Sequence, residues 1–222
     1  MSNDLAFLLD VDNTLVDNDR VKRDLQAHIE RLVGHQRAAR FWDLYEEVRR
    51  ESDYVDFPMT LRRFQASFPD ERQFPHLASL LLCYPYERWL FPGALEAIAH
   101  LKTLGTVAIL SDGDPVFQPA KIARAGLARA VDDQVFIFVH KEEHLEDVAR
   151  MLPARRYVLV DDKPRILAAA KARLRSRLFA LHVRQGSYAE AEEEGYPDAD
   201  RHLDTIAQLA TLEAADFALG PS

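Results

Sequence analysis

Short unbroken apolar runs punctuate the chain, and each one stops abruptly at polar residues. Leu5-Ala-Phe-Leu-Leu9 stops at Asp10, Val107-Ala-Ile-Leu110 at Ser111, Val135-Phe-Ile-Phe-Val139 at His140, and Tyr157-Val-Leu-Val160 at Asp161. Runs this short, without alternation, read as strands buried on both faces, the pattern of a parallel sheet. Helical periodicity fills the intervals. Leu95, Ile98, Ala99 and Leu101 share a face behind Pro92-Gly93, with Gly105 as a stop. Residues 115–125 predict a second helix ended by Gly126, with Pro119 an awkward member. Residues 163–175 predict a third, on Ile166, Leu167, Ala170 and Leu174. Leu178-Phe-Ala-Leu-His182 predicts a further strand, and residues 203–215 a closing helix. Strand-helix alternation of this kind specifies an α/β fold with a parallel sheet.

Residues 16–90 break the rhythm. Leu25, Ile29, Leu32 and Val33 share one helical face, and Phe41, Leu44, Tyr45 and Val48 another; no strand pattern intervenes. Roughly 75 residues is far longer than a strand-helix connection, so this stretch is expected to be an inserted all-helical domain. The expected division is residues 1–15 and 91–222 for a Rossmann-like catalytic core and residues 16–90 for the insertion, with hinges near 16–19 and 90–92. Residues 185–201 are acidic and turn-rich and read as a solvated loop.

Composition narrows the function classes. A chain of 222 residues that is 48 % hydrophobic can bury a real core. A formal charge of −8 opposes nucleic acid as a binding partner. A single cysteine, Cys83, excludes an internal disulfide framework. No stretch reaches the ~20 apolar residues of a membrane span. The first residues lack the basic segment of a signal peptide, so a cytoplasmic protein is expected.

The chemistry gathers at the strand ends. They carry Asp10, Asp12, Asn13 and Thr14; then Ser111, Asp112 and Gly113; then His140 and Lys141; then Asp161 and Asp162. In an open parallel sheet, ligands bind beyond the carboxyl ends of the strands, so these groups are expected to converge. Carboxylates crowded together raise each other's pKa unless a cation joins them, and Mg2+ is the hard ion suited to oxygen ligands. His140 and His144 fit a zinc-binding spacing, but that pattern needs both on one helix, and His140 ends a strand-like run. Glycine-rich dinucleotide and nucleotide loops are absent.

This order of motifs resembles the haloacid dehalogenase-like (HAD) hydrolase superfamily. Asp10-Val-Asp12-Asn-Thr14 matches its first motif, Ser111 its second, Lys141 its third and Asp161-Asp162 its fourth, and the insertion matches a C1-type helical cap. The resemblance implies phosphoryl transfer through an aspartyl-phosphate. Asp10 would be the nucleophile. Asp12 would protonate the leaving oxygen and later deprotonate water, which calls for a raised pKa. Mg2+ would be held by the Asp10 carboxylate, the Asp12 carbonyl, Asp162, and Asp161 directly or through water. Lys141 would neutralise carboxylates and phosphate. Ser111 and the N–H groups of Asp112 and Gly113 would hold phosphate oxygens. Thr14 would brace the loop by hydrogen bonding.

The family's dehalogenases lack an aspartate at the position of Asp12, having no leaving oxygen to protonate. The implied reaction is therefore hydrolysis of a small phosphorylated metabolite. Alternatives are a phosphomutase and a non-catalytic phosphate-binding protein on the same scaffold. A receiver domain combines similar groups but carries its acidic pair on the first strand and has no such insertion. Two positions depart from the family: Asn13 stands where glycine is common, and Asp112 where asparagine is frequent. An aspartate aimed at phosphate would repel it, so Asp112 must point away or retune the pocket. Substrate choice is expected from the insertion, with Asn18, Asp19, Arg20 and the loop Asp53-Tyr54-Val55-Asp56 as candidates, Arg20 foremost because an arginine near the cleft can pair with a second anionic group. Oligomeric state has no signature in the sequence.

Overall fold

The computed structural model describes residues 3–52, 54–187 and 199–218. Six parallel strands form one sheet: β1 (Asn3–Leu9), β2 (Thr106–Asp112), β3 (Val135–Phe138), β4 (Ala154–Asp161), β5 (Leu178–Val183) and β6 (Arg201–Leu203). Their spatial order is β3-β2-β1-β4-β5-β6. This is the doubly wound order, whose direction of winding reverses between β1 and β4. Leu8 lies opposite Ala108 on one side and Leu159 on the other, so β1 is central and Ala6 to Leu9 are fully buried. Successive side chains alternate between two cores. Phe7, Leu9, Val107, Ile109, Val158 and Val160 face one layer; Ala6, Leu8, Ala108, Leu110, Tyr157 and Leu159 face the other.

Helices cover both faces, as burial on both sides requires. The first layer receives α5 (Ala94–Leu104) and α6 (Phe117–Arg124), with the short α7 (Leu127–Ala130). The second receives α8 (Leu145–Met151) and α9 (Pro164–Leu174), the latter through Ile166, Leu167, Ala170 and Leu174. Between β1 and α5 lie α1 (Asn18–Val33), α2 (His35–Ser52), α3 (Phe57–Ser67) and α4 (Phe74–Cys83), which pack through Leu25, Ile29, Phe41, Leu44, Val48 and Phe64. The two chain passages joining this group to the sheet run side by side. Asp17 N–H donates to the Trp89 carbonyl (2.8 Å) and Phe91 N–H to the Leu15 carbonyl (2.9 Å), around an antiparallel bridge between Val16 and Leu90. At the front, the Phe57 and Phe117 rings lie 5.4 Å apart.

Several local expectations need correction. β3 is an edge strand, and its residues are only half-buried. Helix α6 begins at Phe117, not at Pro115; Asp114 Oδ1 accepts the N–H groups of Val116 and Phe117 at 2.8 Å. Pro119 thus falls in the first turn, where its missing donor costs nothing. Residues 203–215 do not form one continuous α-helix. They finish β6 and continue as two 3₁₀ turns, Ile206–Thr211 and Ala214–Phe217. The buried Ile206, Leu209 and Leu212 recur every third residue, the period of a 3₁₀ and not an α turn. The expected solvated loop is also wrong at its ends: Gln185 is buried, and Arg201 opens β6. Its middle, residues 188–198, lies outside the described residues.

Phe217 closes the first layer, fully buried, with its ring edge-on to Phe7 (5.1 Å) and Phe179 (5.8 Å). Phe217→Ala is expected to cost about 3–5 kcal/mol of folding stability. Urea unfolding measures this as a lowered midpoint at unchanged slope; an unchanged midpoint would show that the tail is not part of the core.

Candidate active site

Asp10 is the first residue beyond β1, and its N–H still donates to the Val160 carbonyl (3.0 Å). Asp161 ends the neighbouring β4 and Asp162 follows it, so the winding reversal brings the three carboxylates together. Each offers an oxygen within 4.8 Å of the others, and all three residues are buried. Lys141, fully buried after β3, reaches across β2. Its Nζ donates to Asp10 Oδ1 (2.5 Å) and the Leu110 carbonyl (3.3 Å). Asp161 Oδ2 lies 2.7 Å from the same Nζ as an ion pair, outside hydrogen-bond geometry.

Electrostatics follow from this crowding. Burial pushes Asp10 up to about 6; Lys141 opposes that, and Asp161 adds to it. Asp162 is pushed up to about 9 by burial first and then by Asp10 and Asp161. Burial opposes the charge on Lys141, yet Asp10, Asp161 and Asp112 outweigh it and leave the pKa above the usual lysine value. Lys163 is a second, half-buried cation that sequence reading missed. Burial again opposes its charge and Asp10 and Asp161 prevail, so its pKa is raised. Its signal was its place directly after the acidic pair.

Asp10 Oδ2 and both oxygens of Asp162 are buried with no hydrogen-bond partner among the described residues. Orphaned carboxylate oxygens out of water are costly, and an all-oxygen cluster of this kind suits a hard divalent cation. Nearby, His182 Nε2 meets the Asp162 carbonyl (3.1 Å) and its Nδ1 meets His202 Nδ1 (3.2 Å). Burial lowers the His182 pKa, which favours the neutral ring. A neutral ring that donates from Nε2 accepts at Nδ1, so His202 is the donor of that pair.

Asp12 overturns the expectation of a raised pKa. Burial does oppose its charge, but Lys121 and Gln118 outweigh burial and hold its carboxyl below the usual range. Lys121 Nζ donates to Asp12 Oδ1 (2.6 Å), and Gln118 Nε2 to Asp12 Oδ2 (3.0 Å) and Ser111 Oγ (2.8 Å). Both partners come from α6, a helix that sequence reading treated as structural.

The remaining candidates divide. Ser111 lies buried at the end of β2. The Asp112 carboxylate does turn aside, accepting the Lys141 N–H (2.8 Å). The Gly113 N–H is not available to phosphate, because it donates to the Phe138 carbonyl (3.1 Å). Asn13 takes a left-handed φ of 61°, which asparagine tolerates, and its Oδ1 accepts the N–H groups of Asn18 and Asp19. Thr14 Oγ1 makes no hydrogen bond among the described residues; the brace is instead Gln185, whose Nε2 donates to the Thr14 carbonyl (3.1 Å). Arg20 stays outside the cluster, exposed, with its guanidinium over the Trp89 ring at 5.2 Å. Of the proposed specificity loop, Asp53 lies outside the described residues, and Asp56 caps α3 through the Met59 N–H (2.8 Å). A cavity of about 490 Å³ lies beside α1, lined by Asp19, Lys22, Arg23, Gln26, Gly186 and Ser187, and includes no residue of the carboxylate cluster.

The family model for haloacid dehalogenase-like hydrolases matches residues 5–172. A haloacid dehalogenase-like hydrolase from Burkholderia xenovorans LB400 is 45% identical, with a TM-score of 0.89 over 95% of this chain and 99% of that one. The L-2-haloacid dehalogenase from Xanthobacter autotrophicus shares the fold at 20% identity and a TM-score of 0.64, over 93% of this chain and 96% of that one. A HAD hydrolase from Bacillus subtilis, bound to magnesium, does so at 14% and 0.59, also over 93% and 96%. Among curated proteins none matches.

The raised Asp162 pKa has a consequence for stability. Unfolded, the group titrates near 3.8; folded without metal it holds its proton to about 9. Between those values the unfolded chain has released a proton that the folded chain keeps, so metal-free stability falls as pH rises. A divalent cation replaces that proton. Mg2+ at about 100 times its Kd should add roughly 2.7 kcal/mol, or about 5–10 °C in Tm for a chain this size. At fixed Mg2+ the gain should grow from pH 5 to pH 8 and vanish in Asp162→Asn. Thermal melts that show no Mg2+ effect, or one independent of pH, would contradict the site.

Proposed function

The chain belongs to the haloacid dehalogenase-like hydrolase family, and we propose that within it the protein is a Mg2+-dependent phosphatase of a small phosphorylated metabolite. The observation that carries this reading is an aspartate at position 12, close enough to raise the Asp10 pKa, beside the buried cluster of Asp10, Asp161 and Asp162. Haloacid dehalogenation expels a halide, which needs no proton and no metal. Such a reaction has no use for an aspartate at position 12. It would also leave the oxygens of Asp162 without a partner, and an ionised Asp12 would repel a carboxylate substrate.

Asp10 acts as the nucleophile. Lys141 occupies its Oδ1, and Oδ2 carries no hydrogen bond and is free to bond to phosphorus. As that bond forms, the bond from phosphorus to the leaving oxygen breaks with its electron pair on oxygen, which takes a proton from Asp12. In the second half, water attacks phosphorus, Asp12 takes a proton from it, and the bond to Asp10 breaks, releasing inorganic phosphate. The carboxylates of Asp10, Asp161 and Asp162, with the main-chain carbonyl of Asp12, would hold Mg2+, which supplies charge neutralisation for the phosphoryl oxygens. Lys141 and Lys163 contribute further positive charge, and Ser111 offers a hydroxyl.

The depressed pKa of Asp12 keeps it ionised, the form that can accept a proton from water in the second half. For the first half it must be protonated, and the bound phosphate's negative charge raises its proton affinity. Asp10 is only 3% exposed, so substrate entry requires an opening. Residues 16–90 act as the cap, hinged at the paired passages around Val16 and Leu90, and cap closure excludes water from the first step.

A panel of phosphorylated metabolites and 2-haloacids, assayed with and without Mg2+, tests the reaction class. Phosphate release that depends on Mg2+ is expected, with no halide release, and Asp10→Asn should lower kcat by at least about 10³-fold while keeping the fold. Halide release without metal would make the protein a dehalogenase.

A further inference from the structure

Both oxygens of Asp12 are held from a single helix. Gln118 and Lys121 lie three residues apart on α6, hence on one face, and both are buried, at 6% and 8% exposure. Gln118 takes Oδ2 and Lys121 takes Oδ1. The carboxylate can neither rotate about its last bond nor swing away without losing a donor. Gln118 also holds Ser111 Oγ, so the acid and the hydroxyl of the second motif are tied to one amide. Gly113 makes the approach possible: a Cβ there would sit 2.6 Å from Gln118 Cβ. Lys121 completes the arrangement by donating to Asn18 Oδ1 (3.0 Å), the first residue of α1. The grip on Asp12 therefore spans the seam between the sheet and the helical insertion.

We propose that Gln118 and Lys121 are positioning residues that aim Asp12 at the leaving oxygen, with Asn18 tying that aim to the seated position of α1. The proposal rests on the phosphatase reading. A proton donor acts only within hydrogen-bond reach of its acceptor, so fixing its direction contributes to the step in which the leaving oxygen is protonated and to no step that lacks a proton transfer. Sequence alone hid this pair, because residues 118 and 121 stand more than 100 positions after Asp12 and fit an ordinary amphipathic helix.

The test is a series of substituted phenyl phosphates, from phenyl to p-nitrophenyl, with kcat/KM measured at saturating Mg2+. p-Nitrophenolate departs without a proton; phenolate is helped by one. In Gln118→Leu and in Lys121→Met the rate gap between phenyl and p-nitrophenyl phosphate should widen by about 10-fold or more, in the direction of Asp12→Asn, and Lys121→Arg should narrow it again. Asn18→Ala, which leaves α6 intact, should give a smaller widening and stands in if an α6 variant fails to fold. Equal losses across the series, or no loss, would overturn the clamp while leaving the phosphatase reading in place. A wild-type protein that releases no phosphate from any member would overturn both.

Discussion

Carboxylates held out of water at one rim of a sheet impose the constraint that the rest of the site answers. Asp10, Asp161 and Asp162 are buried within reach of one another, and isolated charges in such a place are costly by several kcal/mol each. Lys141 meets part of that demand by contacting Asp10 and Asp161 at once, and Lys163 adds a second cation close by. The oxygens of Asp162 accept no hydrogen bond among the described residues. Buried charge left incompletely matched by the described residues is what a bound cation would complete.

The scaffold explains why the cluster forms where it does. In the order β3-β2-β1-β4-β5-β6, the chain leaves β1 toward one side of the sheet and returns to β4 on the other. The ends of β1 and β4 are thus neighbours with no crossover packed between them. Asp10 follows one and Asp161 ends the other, so two motifs about 150 residues apart become adjacent through a single register, Leu9 opposite Val160. The same geometry sends the chain out to the helical insertion and back through passages paired at Val16 and Leu90, beside the motif they serve.

Much of this was legible in the sequence, for a definite reason. A strand buried on both faces has no room for polar side chains, so the first polar residue after each apolar run marks its carboxyl end. That logic located Asp10, Ser111 and Asp161, and it placed Lys141 one residue past the polar stop at His140. It failed wherever a role depended on hydrogen-bond partners and not on position. Gly113 sits at the right place, but its amide is spent on Phe138. Thr14 packs without bonding, while Gln185, read as part of a solvated loop, supports its carbonyl. Gln118 and Lys121 fit a helical pattern and gave no sign that they face inward to Asp12. The fold followed the same division. Its alternating layers were readable from periodicity, whereas the 3₁₀ turns after β6 needed a distinction between periods of 3.0 and 3.6 over very few residues.

The central claim is that the buried carboxylates hold a divalent cation. Manganese, an oxygen-seeking ion that occupies magnesium sites and scatters anomalously, tests it directly. Crystals soaked in Mn2+ should give an anomalous peak bounded by Asp10 and Asp162, absent when Asp162 is replaced by asparagine. A peak confined to surface carboxylates, with Asp10 and Asp162 ligating nothing, would contradict the account.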